Sequence, residues 1–154
     1  MSTLKLSYKF IFEILAAFSI VFSITWSVLS QKKQYEWERK LETLHFLESR
    51  DRGHLRSINK KIKNIENQDS LLNVILSDST LLSEIKVQLI QYEDISIGSN
   101  IGVYDNDVIK RFIGNSFINF NKKMQPYILY VRKRDNNPNL YLEYDNCVKA
   151  LPQE

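Results

Sequence analysis

The longest apolar run in the chain lies near its N-terminus, from Phe10 to Leu29. As an α-helix its 20 residues would span about 30 Å, which is the hydrocarbon thickness of a bilayer. Tyr8 and Trp26 lie near the two ends of the run, where aromatic rings prefer the membrane interface. The pattern therefore predicts one transmembrane helix, within an N-terminal segment of residues 1–33.

Small and hydroxyl-bearing residues share one face of this predicted helix. Ser19, Ser23 and Ser27 recur every four residues, and Ala16 and Ser30 extend the same stripe. Three arrangements fit such a stripe: helices packed closely through small residues, a wet lumen in a ring of helices, and hydroxyls bonded back to their own helix. The first two arrangements need a neighbouring helix, so the stripe favours a homo-oligomer.

Charges around the apolar run favour one orientation in the membrane. More basic residues follow the run than precede it: Lys32, Lys33, Arg39 and Lys40 on one side, Lys5 and Lys9 on the other. The larger basic flank faces the cytosol in bacterial inner-membrane proteins, so the domain that follows is predicted to be cytosolic.

Glu13 is the one charged residue inside the run, four residues after Lys9. Two interpretations stay open, an ion pair with Lys9 at a membrane surface and a charge at the mouth of a pore. The alternative to a retained anchor is a signal peptide cleaved before Gln31. The run is longer than the usual signal core, which favours the anchor.

Helical spacing of apolar residues continues beyond the membrane segment. Leu55, Ile58, Ile62 and Ile65 follow one another at intervals of three, four and three residues, and the positions between them are mostly basic. We interpret residues 34–66 as juxtamembrane basic amphipathic helices. Their exposed cations, represented by Lys60 and Lys61, would contact RNA, contact anionic lipid or simply face solvent.

Capping signals predict several helices in residues 67–154, and these helices form the predicted C-terminal helical domain. A polar break at 67–70 ends the preceding helix, and the later helices are predicted to start at Asp78 or Ser79, at Asp105 to Asp107, at Asn115 or Ser116, and at Pro138. Pro126 predicts a kink or a split near Gln125. No segment alternates over the length of a strand, so the predicted fold is all-α.

Composition argues against several classes of chemistry. Cys147 is the single cysteine and His45 and His54 are the two histidines, so a disulfide framework is excluded and a hydrolytic metal site is not expected. The net charge is +3, too small to indicate a partner by itself. We expect no metal, no cofactor and no small-molecule substrate.

One enzymatic motif has a partial match in the sequence, the pairing of Arg and His at short spacing that small helical ribonucleases use. Arg39 and His45 fit the spacing, but they lie directly after the membrane segment. The loop that follows Arg132 and Arg134 is the more natural place for the motif and contains no histidine to act as acid or base. We therefore expect no catalytic residues, and Arg132 and Arg134 would bind an anion or form ion pairs at the helix end.

The stretch from Gln88 to Gly114 resembles a membrane-anchored bacterial family designated domain of unknown function 4760. The resemblance lies in a Tyr-Glu pair, a glycine-containing run, a Gly-Val-Tyr-Asp motif and scattered later positions: Tyr92, Glu93, Ile97, Gly98, Gly102, Val103, Tyr104, Asp105, Ile128, Arg132, Pro138, Tyr141, Glu143 and Tyr144. This resemblance implies a membrane-anchored helical protein and implies no activity.

The architecture is also similar to the small membrane accessory protein of type VI-B CRISPR systems, which implies a ring-shaped pore used against phage. Arg132 or Arg134 would match the arginine of that protein's degenerate ribonuclease-like motif, with Asn137 or Asn139 in place of its histidine. Two functions follow as hypotheses. One is an oligomeric, membrane-permeabilising effector of antiphage defence, and the other is a membrane-tethered scaffold that recruits a protein or RNA partner.

Overall fold

The computed structural model describes residues 2–50 and 53–151, with side chains for residues 8, 10–50 and 53–151. Within these residues the chain forms six α-helices and no β-strand, so the all-α prediction is confirmed. The helices are α1 (Ser2–Glu48), α2 (Gly53–Ile62), α3 (Gln68–Ser77), α4 (Ser79–Asn100), α5 (Asn106–Arg134) and α6 (Leu142–Ala150).

The chain divides into two compact units, residues 1–38 and residues 39–154. The first unit is the N-terminal part of α1. Large apolar side chains are exposed all around it, for example Phe12 at 76% and Phe18 at 71%. Apart from Glu13 and the hydroxyl-bearing residues, the helix is apolar from Phe10 to Leu29, which is typical of a buried or membrane-spanning segment.

The second unit is a helical domain built around α4. An aromatic cluster lies at its centre, where the ring of Tyr92 on α4 packs against Phe117 and Phe120 on α5 and Tyr144 on α6 at centroid distances of 4.9, 5.5 and 5.3 Å. Such aromatic pairs stabilise a fold by about 0.5–1.5 kcal/mol each beyond the burial of their area. The cluster holds α4, α5 and α6 together.

The apolar stripe of α2 faces this core. Ile58 and Ile62 are fully buried, and Leu55 and Ile65 are half-buried against the same cluster. Leu47, near the end of α1, is buried in it as well. Residues 39–66 therefore share one hydrophobic core with the helices that follow them.

Polar residues cap three of the helices; the caps at Asp78 and Asp105 lie at predicted positions, whereas α3 begins at Gln68, inside the predicted break. The Asn67 side chain accepts the backbone N–H groups of Asp69 and Ser70 at the start of α3, and Asp78 accepts that of Leu81 at the start of α4. This backbone donor holds the pKa of the Asp78 carboxyl below its ordinary value. Asp105 caps α5 in the same way.

The predicted boundaries within α5 and at the start of α6 are wrong. α5 runs unbroken from Asn106 to Arg134, so no helix starts at Asn115 or Ser116 and none is split at Pro126. Buried residues on both sides of the proline hold the helix in place, so the loss of one backbone hydrogen bond is tolerated. α6 begins at Leu142 and not at Pro138, because Tyr141 adopts a left-handed conformation with φ 58° that no helix accommodates.

Candidate functional site

The corner between α4 and α5 binds the last turns of α1 through Asp105. One oxygen of this carboxylate accepts the backbone N–H groups of Asp107 and Val108 at 3.1 Å, and the other accepts Nη2 of Arg39 at 3.2 Å. The backbone N–H of Asp105 donates to Oγ1 of Thr43 at 2.9 Å. Asp105 thus caps one helix and joins a second helix to it.

An aromatic contact strengthens the same corner. The ring of Tyr104 stacks on Phe46 of α1 at a centroid distance of 4.5 Å. The turn is closed by the carbonyl of Gly98, which accepts the N–H groups of Val103 and Tyr104 at 2.8 and 3.0 Å. Gly102 has φ 78°, a left-handed conformation that favours glycine. Burial raises the pKa of the Tyr104 hydroxyl.

A polar cavity of about 210 Å³ lies beside this corner. It is lined by Arg39, Ser99, Gly102, Tyr104, Asp105, Asn106 and Asp107. The Nε atom of Arg39 is buried there without a hydrogen-bond partner, although the same guanidinium binds Asp105. The guanidinium of Arg39 and the buried carboxylate of Asp105 both line the cavity, and they pair with each other. The charged groups of the cavity therefore serve to join the helices.

A second polar network fixes α6 against α5. The carboxylate of Asp145 accepts hydrogen bonds from Asn121, Gln125 and Arg132 at 2.8, 2.9 and 2.9 Å, and Arg132 also donates to the carbonyl of Leu140 at 2.7 Å. Burial alone would raise the pKa of Asp145, but these donors outweigh it and hold the pKa below its ordinary value.

Glu93 supplies the cap that α6 lacks in its own sequence. Tyr141, at the cap position, makes no side-chain capping bond, and the Glu93 carboxylate instead accepts the N–H groups of Glu143 and Tyr144 at 3.3 and 2.7 Å. Burial raises the pKa of Glu93 above its ordinary value despite these two donors. In the Tyr-Glu pair, Tyr92 therefore fills the core and Glu93 holds a helix start.

The predicted anion-binding residues lie on two different elements, and each has its own surroundings. Arg132 belongs to the Asp145 network, and Arg134 binds its neighbour Asp135 at 2.6 and 2.8 Å. Lys61 on α2 approaches the carboxylates of Asp78 and Glu84, at 3.2 and 3.9 Å. Lys60, Arg56 and Lys63 are exposed on and just after α2. The structure does not bring the arginines and the lysines into one site.

The predicted residues of the membrane segment are all exposed on α1, namely Glu13, Ser19, Ser23 and Ser27. The hydroxyl of Ser19 donates to the carbonyl of Ala16 at 2.8 Å, and that of Thr25 donates to the carbonyl of Val21 at 2.8 Å. At Ser19 the helix itself therefore satisfies the hydroxyl donor. The side chain of Lys9 is outside the described residues, and the predicted pair with Glu13 is outside them too.

The lone cysteine and the acidic side chains form no metal-binding group in the part of the chain that is described. Cys147 is buried, its thiol lies 3.4 Å from the hydroxyl of Ser99, and burial raises its pKa. A buried thiol with a raised pKa is a poor nucleophile.

Among the residues that the structure describes, the fold is all-α and one helix, near the N-terminus, is long and apolar enough, by length and composition, to cross a membrane. The chain belongs to the DUF4760 family, described as a domain of unknown function, whose profile matches residues 14–151. The match covers the apolar part of α1 as well as the helical domain. No curated protein and no solved structure matches the chain, and these comparisons give no support to the likeness to CRISPR accessory proteins.

Proposed function

We propose that the chain is a single-pass protein of the bacterial inner membrane with its helical domain in the cytosol. Residues Phe10–Leu29 are exposed and apolar, and Lys32 and Lys33 follow them. Cleavage before Gln31 would cut α1 in the middle, because the helix continues to Glu48. The continuity of this helix supports a retained anchor.

We infer that the protein works as a membrane-tethered scaffold. The observation that carries this proposal is the junction at Asp105, where Arg39 and Thr43 lock the end of α1 into the domain. A specific junction of this kind builds the last turns of α1 into the domain itself. A domain that includes the end of its own membrane helix suits a protein that holds a partner at the membrane.

The exposed surface of α2 suggests the chemistry of that partner. The helix contains no acidic residue, and the cations Arg56, Lys60 and Lys63 on and just after it are exposed. Clustered cations attract anionic surfaces over roughly 10 Å at ordinary ionic strength. The partner would therefore be an RNA or an acidic protein surface.

The serine stripe favours a second candidate function, an oligomer that permeabilises the membrane in antiphage defence. Ser19, Ser23 and Ser27 would pack against neighbouring copies or line a lumen. The bond from Ser19 to Ala16 reduces the need for outside partners, so the scaffold comes first.

Protease protection tests the topology. In right-side-out spheroplasts an external protease should leave the domain intact, and in inverted vesicles the same protease should digest it. Digestion in spheroplasts would refute the cytosolic location of the domain, and a mature N-terminus at Gln31 would refute the retained anchor.

Charge reversal tests the scaffold. Photo-crosslinking in living cells from a probe at position 59 should capture the partner, and the Arg56→Glu/Lys60→Glu variant should lose at least 90% of the product, about a tenfold weakening. The matched control is Lys122→Glu/Lys149→Glu, which reverses two exposed charges on α5 and α6. Equal loss in both variants would show that net charge and not this surface is responsible.

A further inference from the structure

A groove of about 300 Å³ lies between α2 and α5. Ile62 and Phe120 are buried and give it an apolar base, beside the half-buried Leu55. The other residues that line it are polar: Asn59, Asn115, Ser116, Asn119 and Lys123. Nζ of Lys123 donates to the carbonyl of Ile62 at 2.7 Å, which holds the end of α2 at this side of α5. The groove is therefore a cleft with an apolar base and polar edges.

Three asparagine side chains on this groove are free to bind a ligand. Asn59, Asn115 and Asn119 are exposed, and their amides make no hydrogen bond to any residue in the part of the chain that the structure describes. The amides of Asn67 and Asn121, in contrast, cap α3 and bind Asp145. A side-chain amide has an N–H₂ donor and a carbonyl acceptor, so each free asparagine can both donate and accept.

The spacing of Asn115 and Asn119 matches the repeat of an extended peptide. They lie four residues apart on one face of α5, which is about 6 Å along the helix axis. In an extended chain every second residue presents its N–H and C=O to the same side, with a repeat of about 6.6 Å. Each asparagine can therefore pair with the backbone of one of two alternate residues. From Asn115 to Lys123 the groove is about 12 Å long, enough for about three or four extended residues.

Both walls of the groove are basic. α2 contains no acidic residue, and α5 contains none from Lys110 to Arg134. Arg56 and Lys63 lie three residues before and four residues after Asn59, so at helical spacing they share its face, and both are exposed. Lys123 adds a cation at the edge of the groove itself. The charge of the walls is complementary to an acidic ligand.

We propose that this groove binds an acidic segment of a protein partner in an extended conformation. Asn115 and Asn119 pair with the backbone of the segment, and the surrounding cations attract its carboxylates. RNA suits the groove less well, because proteins bind single strands by stacking bases on accessible aromatic rings, and Phe120 in the base of the groove is only 4% exposed. The inference rests on the proposed scaffold function and names the chemistry of its partner.

Peptides with altered backbones test the proposal. The probe is a fluorescein-labelled hexapeptide of alternating glutamate and valine, titrated by fluorescence anisotropy with the full chain in zwitterionic nanodiscs, and empty nanodiscs correct for binding to lipid. Two analogues have esters in place of two alternate amides, one analogue for each alternate set, so that N–H donors are lost with little change in shape or charge. The parent peptide should bind saturably, and one analogue should bind about tenfold more weakly because its hydrogen bonds to Asn115 and Asn119 are lost.

A pair of variants assigns this effect to the groove. Asn115→Ala/Asn119→Ala should bind the parent peptide about tenfold more weakly and should lose the tenfold discrimination between the parent and that analogue. Asn73→Ala/Asn139→Ala, which removes two exposed amides that do not line the groove, should bind like wild type. The proposal would be overturned by the absence of saturable binding, by equal affinities of the three peptides for the wild-type protein, or by an unchanged affinity of the groove variant.

Two further probes test the chemical class of the ligand at about 0.15 M salt. The glutamine counterpart of the peptide should bind at least about fivefold more weakly, and equal binding would exclude an acidic ligand. Tighter binding of a labelled uridine decamer than of the peptide would make the groove a nucleic-acid site and overturn the proposal.

The scaffold proposal and this inference can fail separately. If crosslinking from position 59 in cells depends on Arg56 and Lys60 while no peptide binds, the scaffold stands and the extended acidic segment is wrong. If the peptide binds as expected while no partner crosslinks in cells, the groove stands and the scaffold is wrong.

Discussion

The ring of Tyr104 lies against Gly98 at the place that a side chain at position 98 would occupy. A Cβ atom added to Gly98 would overlap Cδ2 and Cε2 of this ring. The contact accounts for two positions of the family resemblance at once, because the glycine makes room for the tyrosine. Tyr104 in turn stacks on Phe46 of α1. Gly98 on α4 therefore determines, through the Tyr104 ring, how the end of α1 is held.

Gly98→Ala should destabilise the helical domain by about 1–3 kcal/mol, because the added methyl group forces the Tyr104 ring away from Phe46. Chemical unfolding of the full chain in detergent, followed by the fluorescence of the tyrosine and tryptophan residues, measures the change. A stability equal to wild type would show that the ring moves aside without loss.

Gly114→Ala is the matched control for this substitution. Gly114 is also a helical glycine, but a Cβ there would meet only Lys110 side-chain atoms at 3.5 and 3.8 Å, which is ordinary van der Waals contact. Because alanine is the better helix former, this variant should be more stable by about 0.5–1 kcal/mol. Opposite signs at the two glycines would separate crowding from helix propensity.

Substitutions at Asp105 should separate its capping role from its junction role. Asp105→Ser keeps a capping oxygen for α5 and loses the ion pair with Arg39, whereas Asp105→Ala loses both. The cap is expected to contribute about 1 kcal/mol, so the alanine variant should be the less stable by that amount. Thermal unfolding of the full chain measures the difference, and equal stability of the two variants would argue against a capping role.

The junction itself is best measured by a double-mutant cycle on Thr43→Val and Asp105→Ser. Thr43 is fully buried and its hydroxyl accepts the backbone N–H of Asp105. Residues in one hydrogen-bonded network couple by about 0.5–3 kcal/mol, whereas residues without shared partners add. Because Asp105→Ser keeps the backbone N–H that Thr43 accepts, the cycle measures how Thr43 couples to the side chain of Asp105, and strict additivity would mean that these two parts of the junction act independently.

Sequence patterns predicted the helices of this protein well where the signal was local. The caps at Asp78 and Asp105 each depend on a side chain and backbone groups a few residues away, so the local sequence predicts them. The sequence predicts a helix start near residue 115, and not a continuous α5, because Asn115 and Ser116 are good capping residues. Whether they cap is decided by tertiary packing, here by the buried Gly114 and Phe117.

The contacts of the candidate site were harder to foresee. The sequence distinguishes Arg39 only by its spacing from His45. Nothing in the sequence indicates that its partner is Asp105, 66 residues away. Long-range pairs of this kind leave no periodic trace in a single sequence, and a resemblance marks positions without stating what they contact.

Two carboxylates beside α6 should give opposite dependences of stability on pH. The pKa of Asp145 is lowered in the folded protein, so its stabilising effect is present above the ordinary pKa of 3.8 and is lost as the pH falls through the lowered value. The pKa of Glu93 is raised, so folding gains stability as the pH falls from neutral through that raised value towards 4.5.

Asp145→Asn and Glu93→Gln test these signs. Asp145→Asn leaves Arg132 buried without its ion pair and should reduce stability at neutral pH by about 3 kcal/mol, with a smaller further loss in acid. Glu93→Gln should abolish the gain that the wild-type protein shows as the pH falls from neutral towards 4.5. Urea unfolding of the full chain at several pH values measures both. A gain that persists in Glu93→Gln would have to come from another group.

The final prediction separates the two proposed roles of the membrane segment. Replacing Ser19, Ser23 and Ser27 together by leucine removes the small polar stripe, and leucine favours insertion, so the amount of membrane-bound protein should stay unchanged. If α1 is only the anchor of a scaffold, the leucine variant should crosslink its partner through α2 as well as wild type does. If the stripe packs helices or lines a lumen, the leucine variant should be monomeric by mass measurement in nanodiscs and should fail to depolarise cells.

Alanine at the same three positions distinguishes packing from conduction. It keeps the small seam but removes the hydroxyl groups, including the one that Ser19 donates to Ala16. A packing role predicts normal assembly, because close approach of helices needs small residues and each interhelical hydrogen bond adds only about 0.6 kcal/mol. A wet lumen predicts normal assembly with reduced conductance, since a narrow apolar constriction loses its water. Full activity of the leucine variant, with no conductance from the purified wild-type protein in planar bilayers, would leave α1 as an anchor and remove the pore from consideration.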